Sequence, residues 1–167
     1  PFCRCLLEEG DAEGVAVLLF DYPGYGMNAG RPSPSSVLEA SCSAVRRAVA
    51  ILGGPVVVNL LGHSLGAAAA AQLAVQLSLQ GEPAGCLVLS APFLSIPHMA
   101  AHLLLTARLP PPPPALRPLT GLLWKLATAM GPRLPALLRI VVPHTWNNAA
   151  AVPRAARLGW AVSIIHG

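Results

Sequence analysis

The sequence predicts an α/β fold, a mainly parallel sheet flanked by helices, and three observations predict it. Short apolar runs rich in β-branched residues at 15–20, 56–61, 85–90 and 159–167 read as strands. Stretches rich in Ala and Leu between them read as helices, and Gly or Pro punctuates the boundaries. Strands that alternate with helices at this spacing imply parallel βαβ units, because a parallel pair needs a long crossover.

Composition narrows the class further. A chain of 167 residues holds one domain with a core and is too short for two of ordinary size. With 54% hydrophobic and 11% charged residues it is not a disordered segment. Residues 48–81 carry no charge, yet Gly53, Gly54, Pro55, Asn59 and His63 interrupt them, so no run of about twenty apolar residues is available to span a bilayer. A buried α/β core is the expected reading.

The net charge of +4 is almost wholly arginine, with Lys125 the sole lysine. The arginines are scattered and form no basic stripe interleaved with aromatics, so nucleic acid is not an expected partner. Cys3, Cys5, Cys42 and Cys86 form no C-x-x-C pair and have no His at metal-ligand spacing. Ordinary thiols are expected, with lipidation or redox chemistry at Cys3 and Cys5 as the alternative, and neither a metal nor a cofactor is expected.

The acidic residues Glu8, Glu9, Asp11 and Glu13 read as a solvated patch leading into the first strand, 15–20. That strand ends in Asp21-Tyr22-Pro23-Gly24-Tyr25-Gly26, a tight turn at a strand's carboxyl end, where open α/β sheets bind ligands. Asp21 is expected to organise the turn through backbone N–H groups rather than to serve as a catalytic acid. Ser35 or Ser36 then caps a helix to about Leu52, with Val37, Leu38, Val45, Val49 and Leu52 as its apolar face.

Gly53-Gly54-Pro55 stops that helix and the strand 56–61 follows. Next comes Gly62-His63-Ser64-Leu65-Gly66, a G-x-S-x-G pattern, and then an Ala-rich helix over 67–79. Glycines two residues to either side of a serine remove Cβ atoms where strand and helix meet, so the turn is tight enough to lift the Ser64 hydroxyl above the sheet. There the Leu65 N–H points toward any oxyanion formed on an attacked carbonyl. The blander reading, in which Gly62 and Gly66 only serve a tight βα turn, stands beside it.

After the strand 85–90, residues 96–154 read as helical pieces, such as 98–109 and 119–130, broken by Pro110 to Pro114 and by Pro118, Pro132, Pro135, Pro143 and Pro153. Five successive prolines form polyproline II, either a stiff connection or a ligand for SH3 or WW domains. His98 and His102 stand one helical turn apart, a spacing able to hold zinc. Lacking a third ligand, they read as ordinary helix residues.

With these pieces in place the chain resembles the α/β-hydrolase superfamily, in particular the serine aminopeptidase-like and Bem46-like hydrolases. FDYPGYGMNAGRPS is similar to the family's turn after its fourth strand, LLGHSLGAAAA to its nucleophile elbow, LVLSAPFLSI to its sixth strand and following loop, and WAVSIIHG to its seventh strand. The resemblance implies a partial α/β-hydrolase fold, with a core at about 15–95 and 157–167 and a proline-rich, lid-like helical insert at about 96–156. It makes Ser64 the nucleophile, Leu65 N–H an oxyanion donor, and Gly62 and Gly66 the elbow glycines.

The family's third strand with its HG-type oxyanion loop has no counterpart before Val15, and its acid and histidine would fall beyond Gly167. His166 belongs to a strand end and is not expected to be the base. Residues 1–167 therefore read as a single incomplete domain, an excerpt or truncated product expected to fold poorly alone. The implied activity is serine hydrolysis of an ester, thioester or amide on a small-molecule, lipid-like or acylated protein or peptide substrate. A non-catalytic module of the same fold is the alternative. A cytoplasmic or membrane-peripheral location is the default, with membrane-surface association left open.

Overall fold

The computed structural model describes residues 14–106, 114, 117–141 and 146–166. The run Pro110 to Pro113 and the patch at Glu8 to Glu13 lie outside them. The chain forms two compact units, residues 1–56 and 57–167.

In the first unit, residues 15–20 are irregular and exposed, Leu19 at 72%, where the sequence predicts a strand. A strand exists only through the ladder it shares with a neighbour, and the three-stranded sheet of the described residues includes none of these positions. The turn after them forms as expected. Met27 N donates to Asp21 Oδ2 at 3.1 Å and Asn28 Nδ2 donates to the Asp21 carbonyl at 2.8 Å. Gly26 sits at φ 52°, and a Cβ there would collide with the Asp21 carboxylate.

Helix α1, Pro34–Leu52, follows. Its cap is Ser33, not Ser35 or Ser36: Ser36 N donates to Ser33 Oγ at 3.0 Å while Ser33 N donates to Ser36 Oγ at 2.9 Å. This reciprocal pair outcompetes the predicted caps because Pro34, having no N–H, suits the first helical position. Val37, Ser41, Cys42 and Val45 form the buried face, whereas Leu52 is half exposed. Ser41 is tolerated there because its hydroxyl donates to the Val37 carbonyl at 2.7 Å.

The second unit holds three parallel strands in the order β1, Leu60–His63; β2, Cys86–Ser90; and β3, Ala161–Ile165. Strand β1 starts four residues later than the apolar run 56–61 and reaches His63. The reason is local: Asn59 Oδ1 accepts from Cys86 N at 2.8 Å, so a side chain replaces the ladder bond, and Leu60 is the first residue in register, opposite Leu87. Strand β3 is likewise shorter than 159–167.

Helix α2, Leu65–Leu79, packs on β1 and β2, with Ala67, Ala68, Ala71, Ala74 and Leu77 essentially inaccessible. Leu87 and Leu89 of β2 complete that core. Between β2 and β3 run α3, Ile96–Thr106; α4, Arg117–Met130; a 3₁₀ turn, Gly131–Arg133; α5, Leu134–Val141; and α6, Asn148–Arg157. Helix α6 packs on α2, and Trp160 ties the entry of β3 to α2 by donating its Nε1–H to Ser78 Oγ at 2.8 Å.

Pro118 and Pro135 do not break helices as the sequence reading expects. They stand second in α4 and α5, inside the first turn, where an amide has no intrahelical acceptor to lose. Pro153 lies inside α6 and does cost a helical bond.

Strand β1 and helix α2 approach each other closely. A Cβ on Gly62 would strike the Gly66 carbonyl and lie 2.6 Å from Ala67 Cα, all backbone that cannot swing away. Gly121 of α4 has open space around its Cβ position. Gly62→Ala is therefore expected to destabilise by about 1–3 kcal/mol or more, as overpacking does, whereas Gly121→Ala gains up to about 1 kcal/mol of helix propensity. Urea denaturation of the two variants checks the contrast.

Cys42 is buried and Cys86 exposed. Burial raises the Cys42 thiol pKa, against a smaller lowering by Arg46, so its thiolate forms only at higher pH. Iodoacetamide under native, mildly alkaline conditions is expected to modify Cys86 well before Cys42, read site by site by mass spectrometry.

Candidate functional site

The three strands deliver their carboxyl ends to one edge of the sheet, and Ser64 stands there as the first residue after β1. Its N–H donates to the Ser90 carbonyl at 2.9 Å, extending the β1–β2 ladder by one bond. Its own carbonyl already accepts from Ala67 N at 3.0 Å. Ser64 is thus held on both sides, once by the sheet and once by the helix.

This double anchoring carries a conformational cost. Ser64 has φ 52° and ψ −113°, outside the usual wells of an L-residue. Such a residue costs of order 1–3 kcal/mol and persists only where its surroundings over-determine it. The position is the N-cap of α2, where a serine ordinarily turns its hydroxyl back onto the first amides. Ser64 makes no such capping bond. Ser64 itself is half-buried at the amino end of a 15-residue helix.

Leu65 opens α2, so its N–H is among the amides without an intrahelical acceptor, at the positive end of the helix dipole. Gly62 and Gly66 face each other across the strand–helix junction, since a Cβ on Gly62 would strike Gly66 itself. The four residues singled out by sequence are therefore gathered at one turn.

Two groups join this edge that sequence reasoning did not assign to it. His63 Nδ1 lies 3.2 Å from Ser90 Oγ, across the β1–β2 register. The signal was the register: with the strand ended at Leu61, His63 read as turn rather than as the residue paired with Ser90. Ala91, with φ 47°, continues from β2 and donates its N–H to the Ile165 carbonyl at 2.8 Å.

In the described part of this unit the single carboxylate is Glu82, which precedes β2 and so lies toward the opposite end of the parallel sheet from Ser64. His98 Nδ1 lies 2.7 Å from Ser95 Oγ at the start of α3. Among the described residues no three His, Cys, Asp or Glu side chains gather as a metal site, and no helix is long and apolar enough to cross a membrane.

A family model described as the alpha/beta hydrolase family matches residues 2–165. An uncharacterized protein of Mycobacterium tuberculosis, found in strains CDC 1551 / Oshkosh and ATCC 25618 / H37Rv, is 42% identical over 93 residues, which are 53% of this chain and 30% of the relative. The chain thus matches less than a third of the length of these relatives. A crystal structure of an alpha-beta hydrolase from Vibrio vulnificus is similar at 19% identity and a TM-score of 0.48, over 87% of this chain and 54% of that one. The family match runs through the β1–Ser64–α2 turn and nearly all of the sequence around it, and on that ground the chain belongs to the alpha/beta hydrolase family.

Proposed function

We propose that Ser64 is the nucleophile of a serine hydrolase that cleaves an ester, thioester or amide through an acyl-enzyme. The observation that carries this reading is the strained backbone of Ser64, whose hydroxyl makes no helix-capping bond. Strain of 1–3 kcal/mol, by the usual order of magnitude, is kept where it positions a reacting group.

In the proposed reaction Ser64 Oγ attacks the substrate carbonyl carbon as its proton passes to a base. The C–O bond to the serine forms, negative charge collects on the carbonyl oxygen, and the Leu65 N–H donates to that oxygen. One such donor is typically worth about 3 kcal/mol of barrier. Collapse of the tetrahedral species breaks the bond to the leaving group, which takes the proton from the base. Water then repeats the sequence on the acyl-enzyme, returning the proton to Ser64 and releasing the acid.

A serine hydroxyl does not ionise near neutral pH, so the base must lie within hydrogen-bond reach and be held by a carboxylate. We assign base and carboxylate to residues outside 1–167. Neither His63, engaged with Ser90, nor Glu82 fits these roles. The likeness in sequence to serine aminopeptidase-like and Bem46-like hydrolases supports the same chemistry, with small, lipid-like or acylated substrates.

The full-length protein is expected to form a covalent adduct with a fluorophosphonate probe at Ser64 and to lose it in Ser64→Ala. Labelling that persists in the variant, or is absent from the folded parent, sinks the reading and leaves a non-catalytic module.

The strain itself is separately measurable. Ser64→Gly and Ser64→Ala both remove the hydroxyl, but only glycine adopts φ 52°, ψ −113° without a Cβ clash. Ser64→Gly is expected to be more stable than Ser64→Ala by about 1–2 kcal/mol, read from thermal or urea unfolding.

A further inference from the structure

We infer that α4 and α5 form a docking surface for an anionic lipid bilayer. The inference does not involve Ser64 and stands apart from the proposed chemistry. Leu119, Leu122, Leu123 and Leu126 recur at the i, i+3, i+4, i+7 spacing that defines one helix face. In a globular domain that face turns to the core. Here these leucines are 55%, 55%, 56% and 51% exposed, while Thr120, Ala127 and Met130 are half-buried.

The next helix also exposes apolar side chains, Ile140 at 81% and Leu137 at 44%. Leu103 and Leu104 of α3 are exposed as well. Exposed apolar side chains thus stand on three helices, of which α3 packs against the other two.

Charge selects the occupant. From Pro83 to Gly167 every Asp, Glu, Lys or Arg present is a Lys or Arg, because the last acidic residue is Glu82. Lys125 of α4, Arg133 of the 3₁₀ turn and Arg139 of α5 are exposed. A second copy docking through the same surface would oppose like charges with no carboxylate to pair them. Anionic headgroups supply the missing counter-charge, and acyl chains accept the leucines.

One further feature fits a surface that lies on the bilayer. Helix α4 has 14 residues, about 21 Å at the helical rise, short of the hydrocarbon thickness. The helices lie in the interface and do not cross it.

The test is co-sedimentation of the full-length protein with phosphatidylcholine vesicles, with and without phosphatidylserine. Partition is expected to rise about tenfold or more with phosphatidylserine, since each basic residue near such a surface adds to attraction, and to fall at high salt. Leu122→Gln with Leu123→Gln, and separately Lys125→Glu, are expected to cut it severalfold with thermal stability unchanged.

Equal partition on neutral vesicles overturns the proposal, as does no partition on either. Glutamine variants that lower the melting temperature show that further chain of the protein covers the stripe. Variants that convert an oligomer to a monomer show that another copy does. Either result also overturns it.

Discussion

The strand–helix turn of the second unit depends on the approach of β1 to α2, which leaves no room for a Cβ at Gly62. From that approach the geometry of the turn follows. Ser64 must reverse the chain within one residue, because its N–H still belongs to the sheet ladder and its carbonyl already belongs to the helix. A right-handed helical φ would carry the chain away from one of these partners. The positive φ is what satisfies both, at a cost that only the surrounding hydrogen bonds and packing can offset.

The same approach explains the composition of α2. After Leu65 its first turns are Gly66 and five successive alanines, Ala67 to Ala71, all five buried. Larger side chains there would push the helix off the sheet and relax the bend at Ser64. Trp160 at the entry to β3 supplies bulk at the other end of the same helix, through Ser78. Sequence, packing and the unusual backbone of one serine are thus one physical arrangement.

Much of this was legible in the chain. The apolar runs marked three of the observed strands, and the G-x-S-x-G pattern marked the turn. Boundaries were legible only where a backbone pattern sets them. Where a side chain intervenes they moved: Asn59 Oδ1 displaces a ladder bond and delays β1, and Ser36 answering Ser33 starts α1 before the predicted cap. Residues 15–20 show the deeper limit. Composition records that a run can pair, whereas pairing depends on what lies beside it.

Apolar content alone did not decide burial either, as α2 and α4 show. Helix α2 is apolar nearly all round and has its residues spread over buried positions, so it must be enclosed. Helix α4 concentrates leucine on one stripe and turns that stripe to water. Full burial of a leucine is worth roughly 1.5–3 kcal/mol, and at about half exposure part of that gain is unrealised at each of four positions. Small side chains let α2 sit close to the sheet and leave nothing outside; long ones on α4 hold free energy in reserve for a partner. Between Glu82 and Gly167 every charged side chain is a Lys or Arg, which favours an anionic partner for that stripe.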